Sequence, residues 1–60
     1  MQKLQVLTAH GWAFVLCFVG KRIETTDDRA KALPRNCPDL AESILAEFEK
    51  DFPDQQFRLS

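Results

Sequence analysis

The chain is poor in the residues from which most recognisable sites are built. Only two of its sixty residues are glycine, Gly11 and Gly20, and they stand apart. A phosphate-cradling loop needs clustered glycines between a strand and a helix, so intrinsic nucleotide binding is excluded. There is one histidine, His10, and there are two cysteines, Cys17 and Cys37. None of them forms a short-range pair of the C-x-x-C or H-x-x-x-H kind, and structural zinc wants four ligands. No metal and no cofactor is expected.

An excess of one charge sign is also missing. Eight Lys and Arg against nine Asp and Glu leave a net charge of −1, so the chain as a whole has no basic field to hold nucleic acid. A long apolar run is missing too. The stretch from Leu4 to Gly20 is interrupted by Gln5, Thr8 and His10, and it is too short and too polar to span a bilayer. After Lys3 that stretch has the outline of a signal peptide, with Phe14-Val15-Leu16-Cys17 shaped like a lipoprotein processing box. The polar interruptions and the bulk of Leu16 before the cysteine argue against export. A cytoplasmic chain with reduced thiols and no membrane association is the expectation.

What is present is a 45% apolar share, too high for a disordered tail. A chain of this size is one domain and buries only about 60% of its unfolded surface, which leaves room for one core layer. No repeat, linker or low-complexity segment divides it.

His10-Gly11 and Gly20-Lys21 lie between β-prone runs and read as two-residue turns. They imply strands at about 3–9, 12–19 and 22–26. Counting outward sets Ala9 opposite Trp12, Leu7 opposite Phe14 and Gln5 opposite Leu16. Across the second turn it sets Val19 opposite Arg22 and Phe18 opposite Ile23. Strand alternation then sorts two faces. Leu7, Ala9, Trp12, Phe14, Leu16, Phe18 and Ile23 form a heavy aromatic face, the expected core. Leu4, Val6, Thr8, Ala13, Val15, Cys17 and Val19 form the other, with Arg22 and Glu24 at one edge.

Residues 27–33 read either as one or two helical turns capped by Thr26 and ended by Pro34, or as an irregular loop, since so few residues rarely sustain a helix without packing. A main helix is predicted over 38–51, capped by Asn36 or Cys37, with Pro38 at its first position. Leu40, Ala41, Ile44, Leu45, Phe48 and Phe52 share an arc of about 140° on it, a stripe suited to covering the aromatic sheet face. A short fourth strand at 56–59 joins a sheet edge. The expected fold is α+β: a three-stranded antiparallel meander, one main helix across it and a short C-terminal strand.

No catalytic constellation emerges. His10 falls in a turn with neither nucleophile nor orienting partner beside it. Cys37 in Asn36-Cys37-Pro38 sits where a helix N-terminus favours thiolate, but Asp39 opposes that, and a cap or buried filler is the plainer role. The acidic residues of the main helix lie on its solvent side, where paired carboxylates share no cleft.

The charges are unevenly placed. Gly20 to Arg35 holds five cations (Lys21, Arg22, Arg29, Lys31 and Arg35) against three anions, whereas 38–54 holds six anions against Lys50 alone. The acidic helix face, with Glu42 and Glu49, suits a docking partner. The order strand, Gly20-Lys21-Arg22, strand, then Thr-x-x-Arg-Ala resembles, in hairpin patterning, the three-stranded modules of phage integrase arms and plant GCC-box factors. That resemblance implies a nucleic-acid-binding sheet using Lys21, Arg22, Arg29, Lys31 and Arg35. The face such modules line with cations is aliphatic here, which makes nucleic acid the second choice.

The aliphatic second face is the surface left over. Leu4, Val6, Val15, Cys17 and Val19 form a patch larger than a monomer normally leaves in water, to be covered either by residues 27–37 and the C-terminal segment or by a protein partner, the favoured reading. The expected function is therefore a small, non-enzymatic protein–protein interaction or regulatory module. Its simplest assembly is a two-fold sheet-on-sheet homodimer.

Overall fold

The computed structural model describes residues 2–60. Strands β1 (Leu4–Thr8), β2 (Gly11–Val19) and β3 (Arg22–Thr26) are followed by a 3₁₀ turn at Arg29–Lys31 and a second at Pro38–Leu40. Helix α1 (Ala41–Asp51) and strand β4 (Phe57–Leu59) complete the chain. The four strands form one antiparallel sheet in the order β3-β2-β1-β4. The fold is α+β with a short C-terminal strand, as the pattern predicted, and that strand adds to the free edge of β1.

Both glycines work through positive φ. At the second turn Gly20 has φ 62° and Lys21 does not share that sign, and Val19 pairs with Arg22. Those are the φ signs of a type II′ hairpin turn. The first turn lies one residue earlier than expected, at Ala9-His10, with Gly11 (φ 108°) following it. A positive-φ glycine after such a turn restores the strand twist. The Thr8 hydroxyl secures the turn, donating to the Gly11 carbonyl (2.7 Å) and accepting from the His10 amide (3.1 Å). Pairing therefore runs Gln5 with Phe14 and Leu7 with Trp12. The two-residue shift preserves which residues share a face.

The face that α1 covers is the reverse of the expectation. Leu4, Val6 and Val15 are 0–2% exposed and form the core with Phe48, bordered by Ile23, Leu33, Ile44, Leu45, Phe52, Phe57 and Leu59. The helix stripe is as predicted except for Leu40, which stays 47% exposed. The physical reason is volume. Phe48 and Phe52 of the helix side stack at 5.8 Å, and Phe57 of β4 packs edge-on to Phe48 at 5.6 Å. Rings supplied by the lid need small aliphatic side chains beneath them, since interiors close-pack large against small. The Trp12–Phe14 face has no such room.

A β-bulge completes the inversion. Val15 pairs with Thr25 but Cys17 pairs with Glu24, so Leu16 has no partner. An extra residue exchanges the faces of everything beyond it. Phe18 and Ile23 consequently join the helix side. Cys17, Val19, Arg22 and Glu24 join Trp12 and Phe14, which corrects the expected placement of all six.

The segment after β3 is tighter than a helix. Asp28, not Thr26, caps the first 3₁₀ turn, its carboxylate accepting from the Ala30 amide (2.9 Å); Thr26 Oγ1 instead accepts from the Asp28 amide (3.1 Å). Leu33 then enters the sheet where β1 and β2 part. Its amide donates to the Val15 carbonyl (2.9 Å), and its carbonyl accepts from the Leu4 amide (2.8 Å). Buried Lys3 fixes the same segment, its Nζ donating to the carbonyls of Ala32 (3.1 Å) and Pro34 (2.7 Å). The main helix begins in the 3₁₀ turn at Pro38, with Cys37 as N-cap making no side-chain capping bond.

Candidate functional site

The helix leaves one sheet face without a second layer, and the register lays out its residues. One row crosses all four strands: Arg58 on β4, Gln5 on β1, Phe14 on β2 and Thr26 on β3. The neighbouring row holds Leu7 and Trp12, and beyond the bulge lie Cys17 and Val19 beside Glu24 and Arg22.

Two arginines roof the two rings of this face. The Arg58 guanidinium stands 4.3 Å from the Trp12 ring centroid, and its Nε donates to Gln5 Oε1 at 2.7 Å. Gln5 is itself only 7% exposed, so it holds the guanidinium plane in place over the indole. Among the described residues no hydrogen bond uses the terminal nitrogens of Arg58. Arg29 stands 5.5 Å from the Phe14 centroid, with Nη2 donating to the Ser60 carbonyl (2.8 Å). Each cation–π contact stabilises by about 0.5–1 kcal/mol at an exposed site.

Two depressions flank the rings. One is lined by Trp12, Phe14, Thr25, Thr26 and Asp27. The other is lined by Lys3, Arg29, Ala30 and Arg35. Arg29 thus belongs both to the roof of Phe14 and to a cleft with two further cations. Arg22 is paired with Glu24 at 2.9 Å across an exposed surface.

The partner surface expected on the sheet is only partly available. Leu4, Val6 and Val15 lie under α1 in the core, which removes them as surface residues. Cys17 is half-buried on the free face, and Val19 is 60% exposed there. Glu42 and Glu49 are exposed on α1, on the opposite side of the sheet.

The basic segment is divided. Arg29 and Arg35 line one open depression with Lys3, whereas Lys21 in the β2–β3 turn lines another with Asp51 and Asp54 at the end of α1. Lys31 is exposed in the first 3₁₀ turn. Trp12 and Phe14 were expected in the core, and Lys3, Gln5 and Arg58 were not singled out as their neighbours on the open face. The signal lay in strand alternation, because Lys3 and Gln5 share the parity that pairs with Phe14, and polar residues at that parity mark the open face.

His10 is exposed in its turn, and Cys37 is an exposed free thiol. Among the described residues no group of three or more His, Cys, Asp and Glu side chains converges. No described helix is long and apolar enough to cross a membrane. No protein-family model matches the chain, and neither a curated protein nor a solved structure shows significant similarity to it.

Proposed function

We propose that the protein is a small, non-enzymatic binding module whose working surface is the helix-free face of its sheet. One observation carries the reading. That face bears Leu7, Trp12, Phe14, Cys17 and Val19 with no helix or strand among the described residues laid over them, and its rings are roofed by arginines instead of core side chains. An open antiparallel face ordinarily turns polar residues to water, and an apolar patch rimmed by polar groups marks an interaction site. The homodimer expected through Leu4, Val6 and Val15 is set aside, because those residues lie beneath the helix. A cytoplasmic setting belongs to the same reading and is supported by the free thiols Cys17 and Cys37, which suit a reducing compartment.

The test is affinity capture from the source cells, comparing the parent with Leu7→Glu on the sheet and Glu42→Lys on the helix. Leu7 is 38% exposed and outside the core, so its replacement leaves the fold intact. Captured molecules lost with Leu7→Glu and kept with Glu42→Lys support the reading. The reverse pattern transfers the function to the acidic helix and overturns it.

A further inference from the structure

We infer that the helix-free face is a platform for single-stranded nucleic acid, with bases packing on the guanidinium groups that roof Trp12 and Phe14 and phosphates meeting the N–H groups of Arg58, Arg29 and Arg35. This rests on the proposed role of that face and names its occupant. Three observations carry it.

Arg58 presents a plane and an unspent fork. Gln5 fixes its Nε, Trp12 supports one face of the guanidinium, and its terminal N–H groups are engaged by no described residue. A guanidinium so held is preorganised for bidentate contact with a phosphate, and its outer plane is a surface on which a base stacks.

The stripe is also continuous. Trp12 and Phe14 lie two residues apart on one strand, about 7 Å along it. Arg29 roofs Phe14 and opens into the cleft it shares with Lys3 and Arg35. Aromatic platforms interleaved with cations along one groove are what a single strand needs, since every base has a π-face and every linkage a charge.

Charge complementarity chooses between occupants. The acids beside this face among the described residues include Glu24, held by Arg22, Asp27 at the rim of the Trp12 depression, and Asp28, whose carboxylate is engaged by the Ala30 amide. The exposed acids Glu42, Glu47, Glu49 and Asp51 lie on α1, behind the sheet. A second copy docking the same face would gather Arg29, Arg35 and Arg58 of both copies into one interface, a concentration of like charge that interfaces avoid. A duplex would find rings and aliphatic side chains along this face instead of the polar side chains that read base edges in a groove.

The experiment titrates the intact protein with single-stranded uridine RNA and thymidine DNA of about a dozen nucleotides, a length suited to one such face. Trp12 is the only tryptophan, so its fluorescence reports directly on the site. Expected results are quenching on binding by at least one of the two strands. For about three phosphate contacts, affinity should fall roughly 15- to 20-fold between about 50 and 200 mM salt.

Arg58→Lys keeps the charge and loses the plane and fork, so it should weaken binding at least about fivefold with little change in salt slope. Asp27→Asn should tighten binding, by about twofold, through removal of a like charge. Glu47→Gln, on the helix, should leave it unchanged.

Heparin, a polyanion without bases, is the control. Equal binding of heparin and oligonucleotide without quenching overturns the inference, since charge alone would then explain it. Absence of oligonucleotide binding at the lowest salt overturns it as well. If the same samples then show a dimer that Leu7→Glu dissociates, the sheet-face reading survives with a protein occupant. If they show only monomer, the capture comparison decides that reading separately.

Discussion

Phe18 meets Phe48 edge to face, with ring centroids 5.6 Å apart and planes at 87°. Uninterrupted alternation would have put Phe18 on the far side of the sheet, with Trp12 and Phe14. The contact exists because Leu16 is surplus to the pairing of β2 with β3. That one residue decides which rings belong to the core and which to the open face.

Deletion of Leu16 tests this accounting. With Leu16 removed, Cys17 falls opposite Glu24 and Phe18 opposite Ile23 in an unbroken ladder, so Phe18 keeps its place over Phe48. The deletion is therefore expected to fold. Its cost should appear where Leu33 bonds the Val15 carbonyl, because the bulge bends β2 at that step. Amide exchange at Leu33 should accelerate while a Phe18–Phe48 nuclear Overhauser contact persists. Loss of that contact would mean the bulge does not set the faces.

The two rings are unequal partners. Phe48 is 5% exposed and touches Phe18, Phe52 and Phe57, whereas Phe18 is 53% exposed. Phe48→Ala should cost about 3–5 kcal/mol, close to the whole stability of a domain this small. Phe18→Ala should cost about 1 kcal/mol, since roughly half of its transfer energy is never gained. Urea denaturation with far-UV circular dichroism reads both, and equal midpoints would contradict the assigned core.

These particulars show what was legible in the residues. The strands, the Gly20 turn, the main helix and its stripe follow from local rules that act within a few residues. The choice of covered face does not, because it depends on packing between elements distant in the chain. Leu4 and Val6 meet Phe48 and Phe57 only after the sheet and helix are assembled. The bulge was hidden for a related reason: Leu16 is apolar like its neighbours, so an extra residue leaves the hydrophobic pattern unmarked. Arg29 and Arg35 were recognisable as cations, but the depression they share with Lys3 depends on Leu33 entering the sheet.

At Gly20 conformation and space separate cleanly. A Cβ there would meet nothing within 4 Å, yet φ is 62°. Steric overlap with neighbours therefore contributes nothing, and the handedness of the residue decides the sign. Gly20→Ala should destabilise by about 1–2 kcal/mol, a fall in Tm of roughly 4–8 °C per kcal/mol for a domain of this size. D-alanine at the same position, in synthetic protein, should instead stabilise by up to about 1 kcal/mol through a less mobile unfolded chain. A loss with both enantiomers would show that the turn is not held at positive φ.

Lys3 poses a sharper balance. Its side chain is buried, with the residue 5% exposed, and its ammonium is held by the carbonyls of Ala32 and Pro34. Burying a charge is unfavourable, so Lys3→Met, similar in length and apolar, relieves that penalty. It also strips two buried carbonyls of a charged donor, a loss of about 1.5–3 kcal/mol per strong bond. Among the described residues no carboxylate pairs with Lys3 to lower the cost of the charge further, yet Ala32 is fully buried and Pro34 is buried with it. Both acceptors belong to buried residues, so the unsatisfied carbonyls should outweigh the relieved charge. The expected result is a net destabilisation of about 1–3 kcal/mol in urea. Faster exchange should follow at the Leu4 and Leu33 amides, which depend on the segment Lys3 anchors. An unchanged midpoint with faster exchange would mean that charge burial cancels the bonds in free energy while they still fix the local structure. A raised midpoint would show that the ammonium is buried at a net loss.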